Sequence, residues 1–415
     1  MLTEEESDLL EKQNAYKIRE LYRISYAIGV NLTKPTFLKE MLRIVNILLL
    51  ISSTLSLYGH WSMFITFIDD IPKMAETICT AFQNLVSQVK MYYFLFCQIK
   101  FYRVLRKVQR HEVLQKVEIF KKGFAIEKPL RKDINAAMDK AWRMTRLQLL
   151  YYICSCTCIM CNYFFGALIM NYYNLVKGTP DYMLRLAFPA YYPIWKDKGQ
   201  SFPYYEIQMY LSSCGLYIAG MCALTFDTTY VVLCQHSVGL VDALKEMIKY
   251  STSPLIPKQR RVEYLRYCIN YYRKIEDYVF EVNGLFQHIS LIQFLLSLII
   301  MGIVIFQMSI SLESDKGSVI RMLMYMSAAG YQICTYCING QAIITACEGI
   351  PTAFFQTDWY NESEEFKYLI KMSIMRSHRV FKYDISLFTV MSYPTLMAFF
   401  KTSGSYFLLL RNLSE

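Results

Sequence analysis

The sequence predicts an all-α polytopic membrane protein with seven transmembrane helices, its N-terminus cytoplasmic and its C-terminus extracellular. Three observations carry that prediction. First, "MLRIVNILLLISSTLSLY" (Met41–Tyr58), "LLYYICSCTCIMCNYFFGALIM" (Leu149–Met170) and "ISLIQFLLSLIIMGIVIFQMSI" (Ile289–Ile310) each hold at most one charge. A helix needs about 20 such residues to cross a hydrocarbon core about 30 Å thick. Second, four further segments have the length of a span but carry charges: Ile71–Cys97, Tyr204–Cys234, Ile320–Ile344 and Ser386–Leu410. Third, with seven spans the segments 1–40, 99–146, 236–286 and 342–385 hold 33 lysines and arginines, and the segments 61–70, 172–203 and 311–318 hold 5. Basic residues resist translocation, so the first set is cytoplasmic. The opening "MLTEEESDLLEKQNAYK" is acidic and polar where a secretory signal would be basic and then apolar.

Each element follows in order. Met41–Tyr58 is the first span, and Ile71–Cys97, interrupted by Lys73, Glu76 and Lys90, is the second. The cytoplasmic run "KFYRVLRKVQRHEVLQKVEIFKKG" accounts for much of the net charge of +10, which membrane topology and anionic lipid explain without nucleic acid. Lys100–Phe120 and Pro129–Met144 are expected as amphipathic helices. In the third span, Leu149–Met170, Cys154, Cys158 and Cys161 share a helical face while Cys156 points away, with no His or Asp nearby. Packing or lipid-facing cysteines suit that pattern better than a metal site. Segment 172–203, with four prolines and many aromatics, suits an irregular lid over the outer mouth of a bundle.

Tyr204–Cys234 is the fourth span and contains Glu206 and Asp227. After it, "VGLVDALKEMIKY" and "VEYLRYCINYYRKIEDYVFEVNGLF" have apolar residues at helical spacing, separated by the break "STSPLIPKQR". These helices are expected to extend the fourth and fifth spans into the cytoplasm. The sixth span, Ile320–Ile344, leads to Asp358, Trp359 and Tyr360, a polar-aromatic junction suited to packing between subunits. "EEFKYLIKMSIMRS" follows, an amphipathic helix with Leu369, Met372 and Met375 on one face. The resulting division is 1–345, holding six spans and the cytoplasmic extensions, and 346–415, holding the cytoplasmic helix and the last span.

That last span ends in "KTSGSYFLLLRNLSE" and is the most informative. At 100° per residue, Pro394, Ala398, Lys401, Ser405, Leu409 and Asn412 form one stripe. Leu396, Phe399, Phe400, Phe407 and Leu410 lie opposite. Two readings stand: close packing through small residues against a neighbouring helix, or a polar stripe facing a wet cavity. One helix cannot enclose a pore, so the second reading requires several copies around an axis.

Enzyme signatures are absent: the sequence has no glycine-rich phosphate loop, no Gly-x-Ser-x-Gly and no HExxH, and its five histidines are scattered. Neither enzymatic activity nor a cofactor is expected. A G-protein-coupled receptor would have an extracellular N-terminus, an Asp/Glu-Arg-Tyr triplet after span three and Asn-Pro-x-x-Tyr in span seven, none of which is present.

The C-terminal segment resembles the signature of insect odorant receptors. The matching elements are Tyr336-Cys337 and Gly340, the Trp359-Tyr360 pair, Arg376-Ser377, and the closing "LFTVMSYPTLMAFFKTSGSYFLLL". The resemblance implies a tuning subunit of a ligand-gated, non-selective cation channel in the plasma membrane of a sensory-neuron dendrite. It would assemble as a heterotetramer with a co-receptor subunit, whose long insertion in the second cytoplasmic loop is missing from 236–286. It further implies a pore lined by the last helix, with Lys401, Ser405, Leu409, Asn412 and Leu413 along it and the constriction near its outer end. Arg411 departs from the hydrophobic residue expected there. A pocket for a small volatile organic ligand is implied in the outer halves of spans two, three, four and six. Those halves hold Thr77, Ile78 and Ala81; Asn162, Gly166 and Met170; Met209 and Ser212; and Met324, Tyr325 and Ala328. Asp358, Trp359 and Tyr360 would meet neighbouring subunits. Two alternatives remain at this point: a gustatory receptor channel of the same superfamily, though "TYxxxxxQF" is missing from the final residues, and a metabotropic seven-helix receptor.

Overall fold

The computed structural model describes residues 18–30, 32, 37–68, 71–115, 119, 124–178, 182–196, 198–311, 316–386 and 389–414. A short helix α1 (Arg19–Ala27) precedes the first long helix, α2 (Phe37–Thr66). Five more long helices follow: α3 (Ile71–Gln109), α4 (Glu127–Lys177), α5 (Tyr204–Lys249), α6 (Lys258–Ser311) and α7 (Lys316–Phe355). Then come α8 (Glu364–Ser377), a two-stranded hairpin β1 (Asp384–Ile385) and β2 (Thr389–Val390), and α9 (Tyr393–Ser414). The hairpin is antiparallel, with Asp384 opposite Val390.

Seven helices therefore stand where seven spans are predicted, and several run past the hydrophobic segment. α4 has 51 residues and α6 has 54, far more than the roughly 20 a membrane requires, so their cytoplasmic ends project from it as rods. α3 stops at Gln109, and the chain turns at His111 with φ of 46°, which ends the helix expected through residue 120. The last helix begins at Tyr393 rather than Ser386, because the hairpin takes up the residues before it. Residue 345, the expected division, falls inside the continuous helix α7.

By length and apolarity alone, α2, α4, α5 and α6 qualify as membrane spans. The polar residues that weaken the signal of α3 and α7 lie inside the bundle. Thr77, Thr80, Asn84, Ser87, Gln88 and Lys90 are buried on α3, and Gln332, Thr335 and Asn339 on α7. Some pair across helices and others bond backbone carbonyls: Ser53 Oγ donates to Asn84 Oδ1 at 2.9 Å, Gln88 Nε2 donates to Ser53 Oγ at 3.0 Å, and Ser87 Oγ donates to the Ala219 carbonyl at 3.0 Å. Helix α5 sits at the centre against α2, α3, α4, α6 and α7, and it is buried almost continuously from Leu211 to Ile248.

At mid-height, one carboxylate organises the bundle. Lys90 Nζ on α3 donates to Asp227 Oδ1 on α5 at 2.8 Å, with both side chains wholly buried. Tyr336 OH donates to the same oxygen at 2.6 Å. Tyr152 OH and Gln332 Nε2 donate to Oδ2 at 2.7 and 2.6 Å. Spans two, three, four and six thus meet at Asp227. Just below, Phe94, Phe101, Phe226 and Phe286 pack edge to face, with Phe101 and Phe286 5.7 Å apart, and open the large cytoplasmic core.

Replacing Tyr152 by Phe removes one hydrogen bond to a charged group, a loss of about 1.5–3 kcal/mol. Asp227→Asn leaves Lys90 buried without a counter-ion, a loss of about 3–5 kcal/mol. The detergent-solubilised protein is expected to show a Tm order of wild type, then Tyr152→Phe, then Asp227→Asn. Equal Tm values for the two variants would contradict this.

Candidate functional site

Above the Asp227 tie, the outer bundle closes around an apolar cluster. Cys79 of α3, Met301 and Val304 of α6, Met322, Tyr325 and Ala329 of α7, and Phe399 of α9 form its buried part, with Phe82 and Tyr163 at its margin. Tyr325 OH donates to the Cys79 carbonyl at 2.8 Å and so ties α7 to α3 at this level. A second cluster adjoins it, made of Ala187 and Phe188 from the outer loop and Leu216 and Ala219 of α5. Met160, Tyr163, Phe164 and Met209 pack against it. Tyr163 belongs to the margin of both.

The predicted ligand residues divide by helix. Thr77 and Ala81 are buried on α3, and Ile78 is half-buried beside them. Tyr325 is buried, with Met324 and Ala328 half-buried on the same helix. Ser212 is buried and donates to the Met209 carbonyl at 3.0 Å. On α4, however, Asn162 and Met170 lie on the exposed face, and a side chain placed at Gly166 would meet nothing within 4 Å. The structure does not bring these three into the outer clusters; Met160, Tyr163, Phe164 and Ala167 hold the inward face instead. This helix is apolar on both sides, and no hydrophobic stripe marks the face turned inward. Cys154, Cys158 and Cys161 share the exposure of that outer face.

The outer loop does cover this region. Asn171 holds it down: its Nδ2 donates to the Arg185 carbonyl at 2.9 Å, and its Oδ1 accepts from Arg185 N at 2.7 Å and Tyr182 OH at 3.0 Å. Tyr191 N donates to the Gly59 carbonyl at 3.0 Å, and the Tyr192 ring lies so close to Gly59 that a Cβ there would stand 2.7 Å from it. Burial raises the Tyr192 phenol above its ordinary pKa. Phe188 dips inward, edge-on to His60 at 5.5 Å and to Tyr163 at 5.6 Å. His60 Nδ1 lies 2.7 Å from the Ser56 carbonyl, so that nitrogen carries the proton and Nε2 is left as a buried acceptor.

Helix α9 packs through a narrow strip. Thr395, Phe399 and Ser403 are buried, and Phe399 meets Phe294 of α6 at 5.5 Å. Lys401, Ser405 and Leu409 are exposed on the far side, as are Met397, Phe400 and Leu408. Phe400, expected on the packing side, faces outward. The side chains of Asn412 and Leu413, like that of Arg411, lie outside the described residues.

Helix α8 is docked by charge. Ser363 caps it by accepting from Phe366 N at 3.3 Å. Arg261–Glu362, Arg266–Glu365 and Arg376–Glu276 join its neighbourhood to α6. Tyr368, Met372 and Met375 remain exposed, as do Asp358 and Tyr360, while Trp359 is half-buried against Tyr360 with ring centroids 4.7 Å apart. Two cavities open in the cytoplasmic half. A recess of about 30 Å³ is lined by Val108, His111, Trp142 and His236 among others, and a groove of about 690 Å³ lies between Lys140, Arg143, Asp242, Lys245 and Gly349. The recess has room for a water or two, and the groove is charged and open, which ill suits an apolar volatile.

Comparison with known proteins bears on this architecture. The family profile described as 7tm Odorant receptor matches residues 70–404. Odorant receptor 63a of Drosophila melanogaster is 48% identical over 421 aligned positions covering 100% of both chains. Odorant receptor 67b of the same fly is 26% identical over 94% of each. Among solved structures, the insect olfactory receptor OR5 from Machilis hrabei superposes with a TM-score of 0.71 at 13% identity, covering 96% of this chain and 98% of that one. The same receptor in complex with eugenol gives 0.74 at 12% identity, covering 97% and 99%. The likeness to OR5 concerns the fold, and the matches in sequence settle the family: this chain, a seven-helix membrane protein, belongs to the odorant receptors.

Proposed function

We infer that the chain is the odorant-binding subunit of a ligand-gated, non-selective cation channel, assembled as a heterotetramer with a co-receptor subunit in the plasma membrane of a sensory dendrite. The observation that carries this reading is the shared outer cluster. Tyr325, from the expected ligand region, and Phe399, from the expected pore helix, are buried in the same apolar core. A small volatile entering that core displaces side chains that α9 itself rests on. It can drive opening only through a higher affinity for the open arrangement, and a site shared with the gating element supplies that difference directly.

Thr77, Ile78, Ala81, Met209, Ser212, Met324, Tyr325 and Ala328 contribute the pocket in this proposal, with Tyr163 and Phe164 of α4 in place of Asn162, Gly166 and Met170. Met and aromatic side chains adapt to shape, and the His60 acceptor below Phe188 suits a volatile that carries a hydroxyl. Lys401, Ser405, Leu409, Asn412 and Leu413 are assigned to the pore. For Lys401, Ser405 and Leu409, exposure on the far side of α9 supports the assignment, since an isolated chain leaves uncovered the surface that symmetric neighbours would face. Asp358, Trp359 and Tyr360, with the exposed methionines of α8, are assigned to the contact between subunits.

Cells expressing this chain with a co-receptor are expected to pass a cation current within a fraction of a second of exposure to an effective member of a panel of small alcohols, esters, ketones and eugenol. G-protein signals without conductance would instead establish a metabotropic receptor. Asn412→Lys is expected to change relative cation permeability, measured from reversal potentials; an unchanged permeability would remove Asn412 from the pore.

A further inference from the structure

The Asp227 tie does not end at the four pocket helices. Tyr336, whose hydroxyl donates to Asp227 Oδ1, is stacked on Tyr230 of α5 with ring centroids 4.6 Å apart and an interplanar angle of 28°. Tyr230 OH has two acceptors in reach for its proton, the Met391 sulfur at 2.8 Å and the Tyr336 carbonyl at 3.2 Å. Met391 lies two residues before α9 and is itself fully buried. Its backbone N donates to the Tyr383 carbonyl at 2.8 Å. Its carbonyl oxygen lies 2.2 Å from where a Cβ at Gly340 would stand, so α7 accepts the segment this closely only because residue 340 is glycine. Thr395 Oγ1 donates back to the Val390 carbonyl at 2.6 Å and fixes the first turn of α9 to the hairpin.

We propose that Asp227, Tyr336, Tyr230 and Met391 form a gating relay: Asp227 positions Tyr336, and the Tyr336–Tyr230 stack holds Met391 and with it the root of the pore helix. The inference rests on the channel reading above and adds to it the route by which the pocket helices act on α9. The outer halves of α3, α4, α5 and α7 can separate around a ligand only by pivoting on the carboxylate that joins them. α7, the helix that bears Tyr336 and Gly340, carries that pivot to the hairpin. In the arrangement seen here the relay is fully made, so cutting it frees the root of α9 without touching the pocket. Two-state elements of this kind typically couple sites by about fivefold to 150-fold in the equilibrium. No charged group other than Lys90 pairs with Asp227 among the described residues, and the remaining partners are neutral donors.

The test uses the full chain with its co-receptor in cell membranes and reads the pore helix directly. Ser405→Cys is exposed to a cationic methanethiosulfonate reagent without odorant, and the parent protein corrects for native cysteines. Tyr336→Phe keeps the ring stack and removes the donor to Asp227. Met391→Leu keeps the volume and removes the sulfur acceptor. Tyr152→Phe removes an equivalent hydrogen bond from Asp227 on α4, off the relay, and so reports what loss of one bond does to the fold. At matched surface levels, Tyr336→Phe and Met391→Leu are expected to change the modification rate at residue 405 by about fivefold or more, and the double variant by no more than the larger single effect, because both break one chain. Tyr152→Phe is expected to stay within about twofold, below the coupling range. Rates unchanged by Tyr336→Phe, equal changes in Tyr336→Phe and Tyr152→Phe, or additive effects in the double variant would each overturn the relay. This measurement needs neither odorant nor current, so its failure is separate from a failure to find conductance.

Discussion

The bundle depends on a single carboxylate. An ionised side chain in a membrane interior is tolerated only when paired and hydrogen-bonded, and Asp227 meets that condition through four donors from three other helices. The arrangement sets the heights of α3, α4, α5 and α7 relative to one another, because each donor reaches the carboxylate from only one position along its helix. Below this level aromatic rings and the cytoplasmic rods make a continuous core. Above it the helices carry smaller apolar clusters under a loop. The large core and the smaller outer clusters thus lie on either side of one residue.

The last helix is held differently. Its root is held at Met391 by the close approach to Gly340 and by Tyr230, and Thr395 ties its first turn to the hairpin. Among the described residues Leu396, Phe399, Ser403 and Tyr406 carry its contacts with the bundle. Along its length one strip of α9 meets α6 and α7, and the opposite face, with Met397, Phe400, Lys401 and Leu408, is exposed. The outer apolar cluster, the Asp227 tie and the root of α9 are thus joined by direct contacts within one chain.

Much of this was legible in the sequence, and the exceptions have physical causes. Long apolar blocks and the distribution of lysine and arginine identify the seven helices, because lipid thickness and translocation act on composition. The signature residues Tyr336 and Gly340 carried the family resemblance, and their contacts now supply reasons: a donor to Asp227 and a close approach by Met391. Lys90 and Asp227 stood out in the sequence as interruptions of two spans, but their pairing across 137 positions leaves no local trace. That Asn162, Gly166 and Met170 lie away from the outer clusters has a related cause. In a membrane the outside of a helix is as apolar as its inside, so periodicity does not distinguish Phe164 from Phe165. The hairpin before α9 was hidden because its residues are as apolar as the helix that follows.

The tie is tested most directly by exchanging its two charges. If Asp227 mattered only as half of an ion pair, Lys90→Asp combined with Asp227→Lys would restore the folded, surface-expressed channel that either single change abolishes. A carboxylate that must accept from Tyr152, Gln332 and Tyr336 as well cannot be replaced by an ammonium group at position 227, which has no acceptor to offer them. Surface expression and Tm of the exchanged protein are therefore expected to stay as low as those of the single variants, and recovery to wild-type levels would contradict a bundle organised around the Asp227 carboxylate.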